Sequence, residues 1–180
     1  MYEQVITLFP DRIGVLIGKG GSVKEQLERY TNTKIEVDSK TGQVRIRGEN
    51  LEDVMTALNI VKAINLGFSP ERAFALLDSD MNLHVIDLYE YGIKGNSSDL
   101  KRVLGRIIGE KGKARRVIEE TAEVYMSVYR HYVAIIGAFD NILMAKEAIK
   151  MLIEGAPHRV VYSYLFNQRR LRKTPELWWR

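Results

Sequence analysis

The chain has 180 residues, of which 46% are hydrophobic and 28% charged, and it contains no cysteine. This length allows one large domain or two small ones, and the composition excludes a disordered chain, a disulfide-stabilised scaffold and thiolate metal sites. The net charge of +4 is concentrated at the C-terminal end, where residues 157–180 hold six Lys and Arg against one acid. A basic end favours a polyanionic partner. No apolar run reaches the roughly 18 residues of a membrane span, so we expect no membrane segment. The absence of cysteine suits a reducing cytoplasm, where we expect the protein to be located.

The first half of the sequence alternates between strand and helix patterns. An alternating strand at QVITLF is followed by a short helix, a break at GKGG, a second helix, a hairpin at KIEV and VRIRG, and a longer amphipathic helix. The strands are predicted over residues 4–9, 34–37 and 44–48, and the first two helices over residues 11–16 and 22–31. The last helix has apolar residues at helical spacing, namely Val54, Leu58, Val61 and Ile64.

A short helix separates this half from the next, since Ser69 is suited to cap it and Pro70 to occupy its first position. The second half then repeats the order: a strand at HVIDLYEY, a helix capped by Ser97 or Ser98, a break at GEKG, a second helix, a hairpin at YMSV and VAIIG, and a long helix. The strand and the two helices are predicted over residues 84–91, 98–106 and 113–122. The long helix carries Ile142, Ala145, Ile149 and Leu152 on one face.

A final basic helix is predicted to start at Pro157. Four of its side chains are expected to pack against the protein, and four basic ones to project from it. The first set is Val160, Val161, Tyr164 and Leu165, and the second is Arg169, Arg170, Arg172 and Lys173. Trp178 and Trp179 lie too near the end to be core residues, and the sequence assigns them no role.

The two halves are related by an internal repeat. An offset of 91 residues places the glycines of the first break on those of the second: Gly14 on Gly105, Gly18 on Gly109 and Gly21 on Gly112. The same offset aligns KIEV with YMSV, and an offset of 89 aligns VRIRG with VAIIG, so that the change falls in the hairpin turn. Insertions are tolerated in turns. We infer two tandem copies with the order βααββα.

The glycine break of each copy has the chemistry of a phosphate-binding site. The first amides of the second helix have no partner within the helix and carry the positive end of its dipole, which favours an anion. Glycine at both ends of the tetrad lets a sugar–phosphate strand approach the main chain. The central residues are Lys19 and Gly20 in the first copy and Glu110 and Lys111 in the second. Lysine supplies a point charge for phosphate, whereas Glu110 is expected to weaken the contact.

Other sites find little support. GVLIGKGGS departs from a P-loop, because three residues separate Gly14 from Gly18 and Lys19 is followed by glycine. The three histidines, His84, His131 and His158, lie far apart in the sequence and lack metal-ligand spacing. We therefore predict no catalytic residues, no metal, no cofactor and no enzymatic activity.

The pattern I-G-x-x-G between two helices resembles that of tandem K-homology (KH) domains of the eukaryotic type, or type I. The resemblance covers nearly the whole chain and implies an α+β fold with a three-stranded antiparallel sheet packed against three helices in each domain. Similar domains clamp four single-stranded nucleotides over an apolar floor. The residues that match this floor are Ile13, Gly14, Ile17, Ile35 and Val37 in the first copy and Leu104, Gly105, Ile108, Met126 and Val128 in the second.

The segments GEKGKARRVIEE, VYMSVY and GAPHRVVYSYL narrow the resemblance to archaeal relatives of the Dim-two or partner-of-Nob-one family. This family implies a non-catalytic protein that binds small-subunit ribosomal RNA near its 3′ end and works beside a Nob-one-type endonuclease. In eukaryotic members the first copy tends to have lost its glycine tetrad, whereas GKGG is intact here. The sequence leaves open whether the first copy binds RNA, which RNA sequence is recognised, which proteins are partners, and the oligomeric state.

The second copy is the stronger candidate for RNA binding. From Leu100 to Arg116 there are seven basic residues against one acid, and the aligned window from Phe9 to Glu25 has three against two. The alternative for Arg115 and Arg116 is an exposed helix face paired with acidic residues at helical spacing. The predicted RNA-binding residues are Gly105, Arg106, Ile108, Gly109, Glu110, Lys111, Gly112, Lys113, Arg115 and Arg116, with Gly14, Ile17, Gly18, Lys19, Gly20, Gly21 and Lys24 in the first copy.

The predicted organisation is a first KH domain over residues 1–67, a helical linker over 68–80, a second KH domain over 81–155 and a basic helix and tail over 156–180. A second hypothesis remains beside RNA binding. The KH grooves could be largely silent, with the basic C-terminal helix docking an endonuclease or a translation initiation factor.

Overall fold

The computed structural model describes residues 1–95 and 98–173, and the chain divides into two compact units, Met1–Leu83 and His84–Arg180. Ser97, predicted as a possible helix cap, and Trp178 and Trp179 lie outside the described residues.

The first unit contains one antiparallel sheet in the order β1-β3-β2. Its core lies between this sheet and the helices, where Leu16, Leu27 and Ile46 are fully buried. The elements are β1 (Tyr2–Thr7), α1 (Pro10–Ile17), α2 (Ser22–Thr31), β2 (Lys34–Val37), β3 (Gln43–Gly48), α3 (Leu51–Asn65) and α4 (Pro70–Ala73).

The second unit is built in the same order, with its sheet in the order β4-β6-β5. Val103, Ile107 and Ile118 occupy its core. The elements are β4 (Asn82–Asp87), α5 (Ser98–Ile108), α6 (Lys113–Ala122), β5 (Tyr125–Tyr129), β6 (Tyr132–Gly137), α7 (Phe139–Ile153) and α8 (His158–Lys173). The predicted α+β class with βααββα order in both copies is confirmed.

Two strand predictions were wrong at their ends. β1 stops at Thr7, because the Leu8 amide donates to the carbonyl of Gly42 and Pro10 begins α1. β4 stops at Asp87, whose carboxylate accepts from the amide of Tyr89 and opens a short 3₁₀ turn over Leu88–Tyr91. Short polar side chains compete with the ladder in this way.

The predicted helix at Pro70 is confirmed, since the Ser69 hydroxyl accepts from the Arg72 amide at 3.3 Å. The last helix, α8, differs from its prediction at two positions. Val160 is 42% exposed, whereas Val161 and Leu165 are fully buried. Arg172 does not project freely, since its guanidinium donates to Asn141 Oδ1 and to the carbonyl of Asp140.

The internal repeat extends further than the sequence indicated. α3 and α7 have the same length and correspond at an offset of 88 residues. Beyond them, Gly67 and Gly155 both have positive φ, 100° and 95°, and both donate to the third-helix carbonyl three residues earlier. The first turn of α8 therefore corresponds to α4, after which α8 continues and the first copy turns into a 3₁₀ segment over Phe74–Leu77.

Candidate nucleic-acid interface

The two glycine tetrads have nearly identical backbone conformations. Gly18 and Gly109, which open them, have φ and ψ of 73° and 177° and of 77° and 172°. This region of the φ/ψ map is essentially restricted to glycine. A Cβ at Gly109 would also lie 2.6 Å from the backbone nitrogen of Ala114, and one at Gly18 would lie 2.5 Å from Val23 Cγ2. The first glycine therefore packs directly on the second helix.

The remaining positions of each tetrad face outward. Gly20 and Lys111 both adopt the left-handed conformation, with φ of 62° and 53°, and both are exposed. A Cβ at Gly112 would meet nothing within 4 Å, and one at Gly21 only Glu25 Oε1 at 3.9 Å. The outer side of the tetrad is thus open to a ligand, while its inner side is closed.

The N-termini of α2 and α6 lie directly behind these loops. Each begins after a left-handed glycine, Gly21 or Gly112, and neither has a side-chain cap among the described residues. The first amides of such a helix favour an anionic ligand.

The helices that lead into the tetrads expose their backbone at one point. Gly14 and Gly105 lie in the interior of α1 and α5, both are exposed, and a Cβ at either would meet nothing within 4 Å. Glycine inside a helix costs about 1 kcal/mol relative to alanine. No protein atom lies close enough to exclude a side chain at Gly14 or Gly105. The absence of a side chain at these positions keeps the surface beside each tetrad flat.

The apolar floor differs in part from the prediction. Ile17 and Val37 in the first unit, and Ile108 and Val128 in the second, are half-buried and can face a base. Ile35 and Met126 are only 1% exposed. These two residues belong to the core and leave almost no surface for a base, so their assignment to the floor was wrong. The remaining floor residues are Ile13, at 9% exposure, and Leu104, which is half-buried.

Some of the predicted RNA-binding cations are engaged in structural contacts. The guanidinium of Arg106 donates to the carbonyls of Leu152 and Ala156 at the end of α7. Arg106 thus has a structural role, and its phosphate contact stays a prediction. The first unit has an equivalent clamp, in which Arg12 donates to Ile64 O and Phe68 O at 2.7 and 2.9 Å.

Lys24 and Arg115 are also paired, which for Arg115 supports the alternative of an ion pair on a helix face. Lys24 Nζ lies 3.0 Å from Glu28 Oε1, and Arg115 Nε lies 3.7 Å from Glu119 Oε1. The contacts of Glu28 and Glu119 with the neighbouring strand were not predicted from the sequence. Their carboxylates accept the amides of Ile35 and Met126, at 3.0 and 2.9 Å, and so tie the second helix to the edge strand. The sequence did offer one indication of this role, since Glu28 and Glu119 occupy corresponding positions at the 91-residue offset.

The cations left beside the tetrads are exposed. Lys19 lies at the tip of the first, and Lys111, Lys113 and Arg116 lie at the tip of the second or in the first turn of α6. Exposed positive charge is therefore greater at the second tetrad, although Glu110 offsets part of it.

The described part of the chain offers neither a metal cluster nor a membrane span. Among residues 1–95 and 98–173, no group of three or more His, Asp or Glu side chains is placed to hold a metal ion. No helix in these ranges is long and apolar enough to cross a bilayer.

Comparison with known proteins agrees with this geometry. A KH-domain model matches residues 3–63, and a model of the eukaryotic-type (type I) KH domain matches residues 82–170. A KH domain-containing protein of Methanocaldococcus jannaschii is 40% identical over 97% of this chain and 78% of its own length. The pre-rRNA-processing protein pno1 of Emericella nidulans is 29% identical over 87% of this chain and 62% of its own length.

A solved structure is similar as well. A chain from the crystal structure of an a/eIF2alpha–aDim2p–rRNA complex of Pyrococcus horikoshii OT3 superposes with a TM-score of 0.87 and 44% identity, covering 94% of each chain. The resemblance inferred from the glycine tetrads is therefore confirmed. This chain belongs to the family of tandem KH-domain proteins that includes Pno1 and Dim2.

Proposed function

We propose that this protein binds single-stranded RNA through its two glycine tetrads and acts in the maturation of small-subunit ribosomal RNA, near the 3′ end. The observation that carries the proposal is the matched pair of tetrads, which are closed toward the protein, open toward solvent and followed by helix N-termini without side-chain caps. The names of the relatives support the RNA class, since one is a pre-rRNA-processing protein and another was solved with rRNA.

We propose that the second tetrad makes the larger contribution to affinity. Phosphate neutralisation by Lys and Arg sets much of the affinity for nucleic acid. Lys111, Lys113 and Arg116 surround the second tetrad, whereas Lys19 is the cation at the tip of the first. The first tetrad keeps the same backbone geometry, so we infer that it binds RNA more weakly rather than not at all.

The test introduces an acidic side chain at corresponding positions of the two tetrads. Lys111→Asp and Gly20→Asp introduce the same carboxylate at exposed left-handed positions, a conformation that Asp tolerates. The affinity for a short RNA with the 3′-terminal sequence of small-subunit rRNA is measured by fluorescence anisotropy. We expect Lys111→Asp to weaken binding by about tenfold or more, since it removes one charge-assisted contact and adds repulsion. Gly20→Asp is expected to weaken it less.

Thermal unfolding of both variants provides the control for folding. Unchanged affinity for both variants, with normal unfolding, would contradict RNA binding through the tetrads. A larger loss for Gly20→Asp would contradict the order of the two copies.

A role beside a translation initiation factor is supported by one comparison, because the Pyrococcus horikoshii relative was solved together with a/eIF2alpha. We propose that this protein has a similar factor as partner, and that a Nob-one-type endonuclease is a further partner. Binding of the factor to Lys111→Asp separates this role from RNA binding, since a protein interface elsewhere would survive the substitution.

We further infer that the protein is non-catalytic and cytoplasmic. The names of its relatives describe RNA binding and processing, and the absence of cysteine fits a reducing compartment.

A further inference from the structure

The segment from the end of α7 to the first turn of α8 contacts the residues that precede the second glycine tetrad. The Arg106 guanidinium donates to Leu152 O and Ala156 O, while the backbone carbonyl of Arg106 lies 2.9 Å from His158 Nε2. A carbonyl can only accept, so Nε2 carries the proton. Arg106 O belongs to the last turn of α5, where carbonyls lack partners within the helix. His158 therefore caps the end of α5, and Arg106, three residues before Gly109, caps the end of α7.

The next turn of α8 contacts the residue that follows the tetrad. Lys113, the first residue of α6, places its ammonium 5.9 Å from the centre of the Tyr162 ring. His158 also lies beside this ring, with ring centres 6.1 Å apart. Lys113 is exposed, and Tyr162 is half-buried. A cation over an aromatic face at this distance is held by the ring quadrupole.

The first unit has only half of this arrangement. Arg12 makes the equivalent clamp to Ile64 O and Phe68 O. At the position of Lys113 the first copy has Ser22, and at the position of Tyr162 it has Phe74, which contacts the ring of Tyr30 edge-on. The contact between the C-terminal helical segment and a cation at the tetrad is thus particular to the second copy.

We propose that α8 is part of the second RNA site and that Tyr162 is a positioning residue, which holds the Lys113 ammonium beside the amides at the start of α6. The proposal rests on the RNA-binding function proposed above. It adds that the site extends beyond the KH module, so that two turns of α8 flank the tetrad through Arg106 on one side and Lys113 on the other.

The experiment is a double-mutant cycle in the full chain. Tyr162→Leu removes the ring, Tyr162→Phe keeps its face, and Lys113→Met removes the charge while keeping much of the side-chain length. The affinity of each variant for the same short RNA is measured at several salt concentrations. Phe74→Leu is the matched control in the first copy, where the aromatic residue faces no lysine at the tetrad.

We expect Tyr162→Leu to weaken RNA binding roughly two- to fivefold, the size of an exposed cation–π contact. Tyr162→Phe and Phe74→Leu should stay within about twofold of the wild type. Lys113→Met should weaken binding, lower the salt dependence by about 0.7 in log–log slope, and abolish the further effect of Tyr162→Leu.

Two outcomes would overturn the inference. An equal loss from Tyr162→Leu with and without Lys113 would mean that the tyrosine acts through folding alone. Full affinity of Tyr162→Leu, with Lys113→Met still impaired, would remove the role of Tyr162 and leave the RNA site intact. The failure of the proposed function looks different, because then neither Lys113→Met nor Lys111→Asp changes RNA affinity.

Discussion

Alanine substitutions at the two ends of the second tetrad should differ in which property they impair most, stability at Gly109 and RNA binding at Gly112. Gly109→Ala places a Cβ 2.6 Å from the backbone nitrogen of Ala114, in a conformation essentially restricted to glycine. Gly112→Ala places its Cβ in open space, at φ of 75° and ψ of 15°. The two variants therefore separate the inner, structural side of the tetrad from its outer, binding side.

The magnitudes follow from these geometries. The backbone strain at Gly109 costs about 1–3 kcal/mol, and relieving the overlap with Ala114 costs about 1–3 kcal/mol more. A total of roughly 2–6 kcal/mol is therefore expected for Gly109→Ala. Gly112→Ala has only the left-handed penalty, about 1–2 kcal/mol. Its methyl group, however, stands where a phosphate would approach the amides of α6, so RNA affinity should fall.

The assays are urea unfolding followed by far-UV circular dichroism and RNA binding followed by anisotropy. Gly109→Ala should be clearly the less stable variant, and Gly112→Ala should be the one that stays folded yet binds RNA weakly. Equal stability of the two variants, or wild-type RNA affinity of Gly112→Ala, would refute the assignment of an inner and an outer side.

Three further predictions concern single side chains of the second unit. Arg106→Met should lower the free energy of unfolding by about 2–4 kcal/mol, because two carbonyls lose a charged donor, and urea unfolding checks this. The salt dependence of RNA affinity should stay unchanged, and a weaker salt dependence would mean that Arg106 contacts phosphate. Glu110→Lys should strengthen RNA binding several-fold, because it replaces repulsion of phosphate at the tetrad with attraction. Titration of the variant with RNA at two salt concentrations checks this, and weaker binding would mean that Glu110 contributes a contact of its own. The pKa of His84 is lowered, chiefly by burial and also by repulsion from Lys146, so the folded state binds this proton more weakly than the unfolded chain. The contribution of His84 to stability is therefore present above the ordinary pKa of about 6.5 and declines as the pH falls below it. Unfolding of the wild type and of His84→Gln between pH 5 and 8 tests this, and an unchanged pH dependence in the variant would exclude His84 as the cause.

Much of the fold could be predicted because its signals are local. Helical spacing in α3 and α7, alternation in the strands and the glycines of the tetrads each act within a few residues. The repeat then supplied independent agreement, since Gly18 and Gly109 fall at corresponding positions and the structure gives them the same backbone angles. A tetrad repeated in one frame is far more informative than a single one.

The rest depends on contacts between distant residues. Arg12 and Arg106 make equivalent clamps from positions that the 91-residue offset does not align, so comparing the copies could not reveal their role. Ile35 and Met126 share a strand face with Val37 and Val128, and only the packing of the folded chain buries the first pair more deeply than the second.

The extension of the repeat past the third helix was hidden for a different reason. Gly67 and Gly155 adopt the same conformation, but the residues around them differ, and the offset has changed to 88 because one residue fewer connects the hairpin to α7. Short deletions in connections preserve the fold and obscure the alignment.

The most direct test of the central claim is an amide NMR titration of the full chain with a short single-stranded RNA. We expect the largest chemical-shift changes at the amides of Gly112, Lys113 and Ala114, with smaller ones at Gly21, Ser22 and Val23. Shifts confined to other surfaces, with these amides unmoved at saturating RNA, would contradict phosphate binding by the glycine tetrads.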